Sequence, residues 1–415
     1  MAASLKNPPS NASLRHVSLP ERRARLAVRH RLAPGTTADD ARTVVRSLLA
    51  LHATDPATVY LSVASRLRLP ALDPLPEALL GERSIVRHHA MRRTLWVMEP
   101  DIARAAHASC TAALAVKEWK SMAKLLADNG LGNPEKWLAE AKRRALDVVG
   151  ELGTATARQL GATAPDLAVP LRLSVGKSYE GTQGAHTRLL QNLGFDGALL
   201  RTRSVGSWVS GEDEWAVAAS WLPGGVVDAG LTVREGAARL ADAYLRSFGP
   251  ITSSDLQWWA GWSAGQARDA LADLGAVPVT TEIDDDATVS PAWLHPDDLD
   301  VVDDAGPWAT VLPSLDPTMM GWKQRDWHVG RHGGFGDTLF DRNGNAGNSI
   351  WANGAVIGTW AHRKDTSVAI EYFDDATKEV RSLVDTSVDR YRATVGDTVV
   401  RPRYPAPRQA SLLAR

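Results

Sequence analysis

The chain has 415 residues, 44% of them hydrophobic and 23% charged, with a formal net charge of −1 at pH 7. That length exceeds one ordinary core and predicts about two to four globular domains. No run of about 18 uncharged apolar residues occurs, which excludes a helical membrane span, and the near-zero net charge excludes a uniform basic coat for nucleic acid.

Residues 1–19 lack the apolar segment of a secretory signal, and their Asn, Ser and Pro content predicts a flexible arm. A first unit spans 20–100, with helices over about 20–32, 37–51 and 56–67 and a short one near 76–81. The stretch "SIVRHHAMRRTLWVM" (84–98) then alternates as a strand or hairpin. Between the second and third helices stands "HATDP" (52–56). Asp55 makes a good N-cap and Pro56 a good first helical residue, but a helix start explains neither His52 nor Thr54.

Residues 101–134 read as an Ala-rich helical connector carrying Cys110, the single cysteine, as a small core residue. One cysteine allows no internal disulfide and no cysteine zinc cluster, so a reducing cytoplasm is the natural setting. Two stretches repeat: "ELGTATARQL" (151–160) and "SFGPITSSDL" (247–256) share Gly153/Gly249, Thr156/Thr252 and Leu160/Leu256. Each follows an amphipathic helix, and each threonine is placed to cap a short helix. Helix, short helix, helix and strands are the layout of a winged helix-turn-helix, which predicts such units at 135–230 and 231–281, with 20–100 a divergent third copy. The wing of the unit at 135–230 is expected in "GALLRTRSVGSWV".

Residues 282–304 form an acidic linker; 281–304 carry nine acids and no base, whereas 1–95 carry fifteen Lys or Arg against seven Asp or Glu. These charges cancel in the sum and are expected to stay apart in space, leaving a local site for an anionic partner. Residues 305–396 alternate short apolar runs with Gly- and Asn-rich turns, predicting an antiparallel β-barrel domain closed by a last helix. Residues 397–415 are a basic tail. The predicted class is therefore α+β, with tandem winged helix-turn-helix units and a C-terminal antiparallel β-barrel.

"VGKS" (175–178) lacks the glycine five residues before Gly176 that a phosphate-binding loop needs. "DRNGNAGNSIWA" (341–352) has Ala346 and Ala352 where a calcium loop needs Gly and Glu, and reads as a turn. His88 and His89, adjacent on a strand, face opposite sides and suit no shared metal. Tryptophans such as Trp258 and Trp322 sit in apolar runs and read as core.

Taken together, "LLALHATDPATVYLSVASRL", "IVRHHAMRRTLWVMEPDI", "LPSLDPTMMGWKQRDWHV" and "LFDRNGNAGNSIWANGAVIGTW" resemble the AlkZ/YcaQ-like winged-helix DNA glycosylases over nearly the whole chain. The resemblance implies a monofunctional glycosylase that hydrolyses the N-glycosidic bond of N7-alkylated purines in double-stranded DNA, in repair or self-resistance. The family signature Gln-x-Gln, or Gln-x-Asp, falls on His52 and Thr54, so both glutamine positions are changed. A cationic N7-alkylpurine leaves as a neutral base, and the protein need only steer water and stabilise an oxocarbenium-like sugar. His52 is expected to accept the water's proton, Thr54 to orient the water, and Asp55 to stabilise positive charge if it is free of its capping role. Protonated His52 would repel the cationic lesion, so activity is expected to fall below about pH 6.

DNA contacts are expected from Arg92 and Arg93 in the first hairpin. Lys177, His186, Arg188, Arg201 and Arg203 are expected to add contacts from the second unit, and Lys323, Arg325, Arg331 and His332 from the last domain. No metal or organic cofactor is implied, and no dimerisation heptad occurs, which points to a monomer. The altered signature keeps a second reading open: a non-catalytic DNA-binding protein, either a lesion sensor or a transcriptional regulator. A third uses the winged helices for protein contacts.

Overall fold

The computed structural model describes residues 14–178, 180–330, 338–403 and 405–414, and no helix among them is long and apolar enough to cross a membrane. Strand β1 (His16–Val17) leads into the helix Leu19–Arg29, and a second helix, Ala41–Ser47, follows. The helix expected to reach residue 51 ends early. Leu49 takes left-handed backbone (φ 63°), and Ala50–His52 becomes strand β2, so the junction is strand-to-helix rather than helix-to-helix. Asp55 then caps the helix Pro56–Ala64. Strands β3 (Val86–His89) and β4 (Leu95–Met98) form the expected hairpin, and β2 pairs with β4 so that His52 lies opposite Trp96.

The helix Pro134–Leu152 leads to β5 (Ala155–Thr156), the helix Ala157–Thr163, a hairpin of β6 (Pro170–Leu173) and β7 (Gly181–Gly184), and the helix Ala185–Phe195. The following hairpin, β8 (Leu199–Ser204) and β9 (Asp213–Val217), reaches further along the chain than its sequence pattern indicates. Because β8 pairs with β3 through Arg201 and Arg87, both halves share one antiparallel sheet of order β2-β4-β3-β8-β9-β5.

The repeat is real at the level of capping. Thr156 with Gln159 and Thr252 with Asp255 both form reciprocal side-chain-to-backbone boxes at a helix start. Around the second box run the helices Val233–Phe248, Ser253–Ala260 and Ala264–Leu274, then the hairpin β10 (Val277–Glu282) and β11 (Val289–Leu294). Two expectations change here. Strand β1 pairs in parallel with β10, so residues 16–29 dock on this unit rather than on residues 37–100. The acidic stretch is not a linker, because part of it is strand β11. The two charge blocks also meet in space: Arg25 donates to Asp298 at 2.9 Å, Arg29 shares that carboxylate, and Arg23 pairs with Asp285 at 2.8 Å.

The last region holds β12 (Ala309–Leu312), β13 (Ser349–Ala352), β14 (Ala355–His362) and β15 (Val368–Tyr372), an antiparallel meander in chain order. The expected barrel is not formed. Four strands are too few to close around a filled interior, and the helix Lys378–Val395 covers the open sheet instead. It buries Val384, Val388 and Tyr391 in one cluster with Val311, Ile350 and Trp360. The tail is not free either: the helix Pro407–Ala414 packs on β14, with Gln409 fully buried. Cys110 is buried, and Trp322, Trp327, Trp351 and Trp360 are core residues.

Candidate functional site

The junction is built by three constraints. Pairing of β2 with β4 fixes His52, the Ala53 amide donates to the Leu95 carbonyl at 2.8 Å, and the Asp55 cap starts the helix. Asp55 has both oxygens engaged: one accepts the Ala57 amide at 3.2 Å, the other the Arg403 amide at 3.0 Å. It therefore serves as a cap and a tether for the tail, and the condition attached to its charge-stabilising role is not met. Thr54 is half-buried, and its hydroxyl has no hydrogen-bond partner among the described residues.

His52 is 4% exposed and stands edge-on to Trp96, with ring centroids 4.9 Å apart. Its Nδ1 is enclosed without a partner among the described residues. Burial, reinforced by the nearby Arg92 guanidinium, pushes its pKa down to about 3. The near-neutral titration expected of an exposed imidazole is therefore absent, and with it the expected loss of activity below pH 6 through this ring.

The helix carrying the junction is anchored from the other end of the chain. Arg66 makes two hydrogen bonds to Asp316, at 2.9 and 2.8 Å, and both side chains are fully buried. Ser62 donates to the same carboxylate at 2.7 Å, and Thr58 to the Ser314 carbonyl at 2.7 Å. The Asp of "DPTMMGW" is thus a clamp between the last region and the first.

Beside His52 lies a basic cluster. Arg92 and Arg93 occupy the β3–β4 turn in left-handed backbone, φ 53° and 65°. The Arg92 guanidinium carbon sits 4.1 Å from the Trp258 ring centroid, and that of Arg325 sits 5.0 Å from the same ring. Trp258 is half-buried, not core. Arg325 also lies over Phe340, and burial and the charge of Arg92 push its pKa down to about 10. Lys323 is exposed next to this cluster, its amide donating to Asp255 at 2.8 Å. Beneath lies Arg22, 2% exposed, over the Trp327 ring at 4.1 Å; burial lowers it to about 10. Arg22, Trp96 and Trp258 carry no motif signal, since only the fold brings them to the junction.

The other expected DNA contacts are dispersed. Arg93 pairs with Glu118 at 2.7 Å and Arg203 with Glu214 at 2.8 Å, both on the surface. Arg203 also lines a small crevice with Pro56 and Tyr60 at the start of the junction helix. Arg201 shares the buried carboxylate of Asp213 with Arg87, which engages its guanidinium internally. Lys177 is exposed in the β6–β7 turn, whereas His186 and Arg188 are half-buried in the first turn of the helix Ala185–Phe195. Burial lowers the pKa of His186. Arg331 and His332 lie outside the described residues. His88 contacts His107 at 3.2 Å while His89 packs on Phe195, so the two imidazoles do diverge. Asp341 accepts the amides of Asn343 and Asn345 at 2.8 and 2.9 Å, making the turn expected there.

Residues 45–394, which contain the junction, the hairpin, the clamp and the cluster apart from Arg22, match the family described as DNA glycosylase AlkZ-like. The chain belongs to the AlkZ-like DNA glycosylase family. Its fold is similar to that of Streptomyces sahachiroi DNA glycosylase AlkZ, with a TM-score of 0.65 at 17% identity over 90% of this chain and 96% of that one. At that identity the likeness concerns the fold. No curated protein matches the chain. Membership in the AlkZ-like family assigns the chain, at family level, to DNA-repair glycosylases that bind DNA. Within that assignment, the junction is where this chain carries His52 and Thr54.

Proposed function

We propose that this protein is a monofunctional DNA glycosylase, acting as a cytoplasmic monomer on N7-alkylated purines in double-stranded DNA. Winged-helix units at 135–230 and 231–294, with a divergent one at 37–100, would grip the duplex and bring the damaged nucleotide to His52 and Thr54. The bond from C1′ to N9 breaks, its electron pair neutralises the cationic purine, and water adds to C1′ with loss of a proton. His52, neutral at any physiological pH, acts as a hydrogen-bonding group rather than a proton store, and its enclosed Nδ1 leaves Nε2 to meet the water. The half-buried hydroxyl of Thr54 orients that water. Asp55 holds the strand-to-helix corner.

One observation carries this reading. The family match runs through the junction, and there a neutral imidazole and an unpartnered hydroxyl stand two residues apart beside a basic cluster. The test is base release from a duplex containing N7-methylguanine, compared with spontaneous depurination. Release above the spontaneous rate supports the glycosylase.

A second reading, a non-catalytic lesion sensor or transcriptional regulator, is favoured by the Asp55 carboxylate, which is taken up in capping the junction helix and tethering the tail. Tight binding of the same duplex without release would select it. The DNA contacts proposed for either reading are Arg92, Arg93, Lys177, His186, Arg188, Arg203, Lys323, Arg325, Arg331 and His332. Arg201 requires release from Asp213 to join them.

A further inference from the structure

The guanidiniums of Arg22 and Arg325 lie near one carboxylate, that of Asp255, which bonds to neither among the described residues, and Arg92 shares the Trp258 ring with Arg325. Asp255 accepts the Thr252 amide and hydroxyl, each at 2.8 Å, and the amides of Lys323 and Gln324, each at 2.8 Å. Its four lone-pair directions are filled, so Arg22 and Arg325 feel it only through space. Arg22 donates to the Glu282 carbonyl, while its Nε and Nη2 are enclosed without partners among the described residues. Among the described residues, the hydrogen bonds of Arg325 go only to carbonyls, of Trp322 at 3.0 Å and Gly344 at 3.4 Å. Arg92 makes no hydrogen bond among the described residues, and its Nε is enclosed.

Buried or half-buried charges are ordinarily paired, because removing them from water costs more than carbonyl contacts return. Here the group carries an excess of positive charge with unused N–H donors. Arg92 and Arg325 are both half-buried, so a solute can reach them, and both lie against the same indole. A guanidinium laid on an aromatic face keeps its edge N–H groups free for an oxyanion. A phosphate presents two outward oxygens, one for each fork.

We propose that Arg92 and Arg325, braced on Trp258, form a clip for one phosphate group, with buried Arg22 adding to its positive field. This rests on the DNA reading above insofar as the group is a backbone phosphodiester; free phosphate is the other source of the same chemistry. In the DNA-bound state the clipped phosphate lies beside His52.

The test measures binding of a fluorescein-labelled duplex by anisotropy across a KCl series, for wild type, Arg92→Gln, Arg325→Gln and the double variant. If one phosphate is shared, the slope of log K against log salt becomes shallower by about one in the double variant. Each single change then weakens binding about tenfold, and the pair costs little more than either alone. The double Arg→Lys variant keeps the wild-type slope, which separates lost charge from misfolding. Unchanged slope and affinity in the double Gln variant would overturn the clip, as would a drop of about two with additive losses, which means separate phosphates.

A second arm follows melting in inorganic phosphate against KCl at matched ionic strength. Phosphate should raise the wild-type melting temperature by clearly more than that of the double Gln variant, which shows only the general effect of phosphate on burial. If wild type binds no duplex, the DNA reading fails and this arm decides alone. Selective stabilisation would then support a free-phosphate clip, and none would end the proposal.

Discussion

At the level of single residues, the fold keeps several histidines uncharged. His52 and His30 are both pushed down to about 3 by burial, and His88, His89 and His328 are also lowered well below the ordinary imidazole range. An unfolded histidine takes up a proton near pH 6.5, whereas these native rings do not, so below that pH the unfolded chain binds more protons and is favoured. Their contribution to stability is full above pH 6.5 and declines as pH falls toward 3. The loss is on the order of 2 kcal/mol at pH 5 for each of His52 and His30. Urea denaturation between pH 7.5 and pH 5 should therefore show a steep fall in midpoint. Single-turnover activity of the fraction still folded should show no inflection near pH 6.5. An activity profile with a pKa near 6.5 that His52→Ala removes would contradict the neutral-ring assignment.

Among the elements, the clamp between the junction helix and the last region matters most. Arg66 and Asp316 are fully buried and bonded at two points. Asp316→Ala leaves an unpaired guanidinium inside the protein and should cost about 3–5 kcal/mol in chemical denaturation. Arg66→Met with Asp316→Leu removes both charges and should recover most of that loss. If the single and double variants are equally destabilised, the clamp acts through shape rather than charge.

This clamp also shows what the sequence discloses. The Asp-Pro helix start of "DPTMMGW" is a local cap and is readable as such, since Asp316 accepts the Thr318 amide at 2.9 Å. Its second role depends on Arg66, 250 positions away, which no spacing rule announces. The same contrast holds at β2. Apolar periodicity carries a helix through Leu51, but tertiary pairing with β4 takes Ala50–His52 into a sheet, and only the left-handed Leu49 marks the change. Capping boxes and the β3–β4 hairpin were legible because their partners are within a few residues.

Across the whole molecule, distant segments neutralise and complete one another. The basic N-terminal helix lies on the acidic stretch near residue 298, the strand β1 completes the β10–β11 sheet, and the tail caps Asp55. The charge surplus at the N-terminus is therefore partly internal, which composition alone cannot reveal. Among the described residues Arg92 and Arg325, next to His52, make no ion pair, whereas Arg93 and Arg203 sit in exposed pairs worth little. Arg93→Ala or Arg203→Ala should accordingly change the melting temperature by less than about 2 °C, and scanning calorimetry checks this. A fall of many degrees in either would show that these pairs hold the hairpins in place.

The central claim is that His52 and Thr54 perform the chemistry. It is tested most directly by the single-turnover rate of N7-methylguanine release at saturating enzyme, measured for wild type, His52→Ala and Thr54→Ala, each with its duplex affinity. Both variants are expected to bind the duplex within a few-fold of wild type and to release the base at least about tenfold more slowly. Wild-type release rates in both variants, with affinity intact, would remove the junction from catalysis.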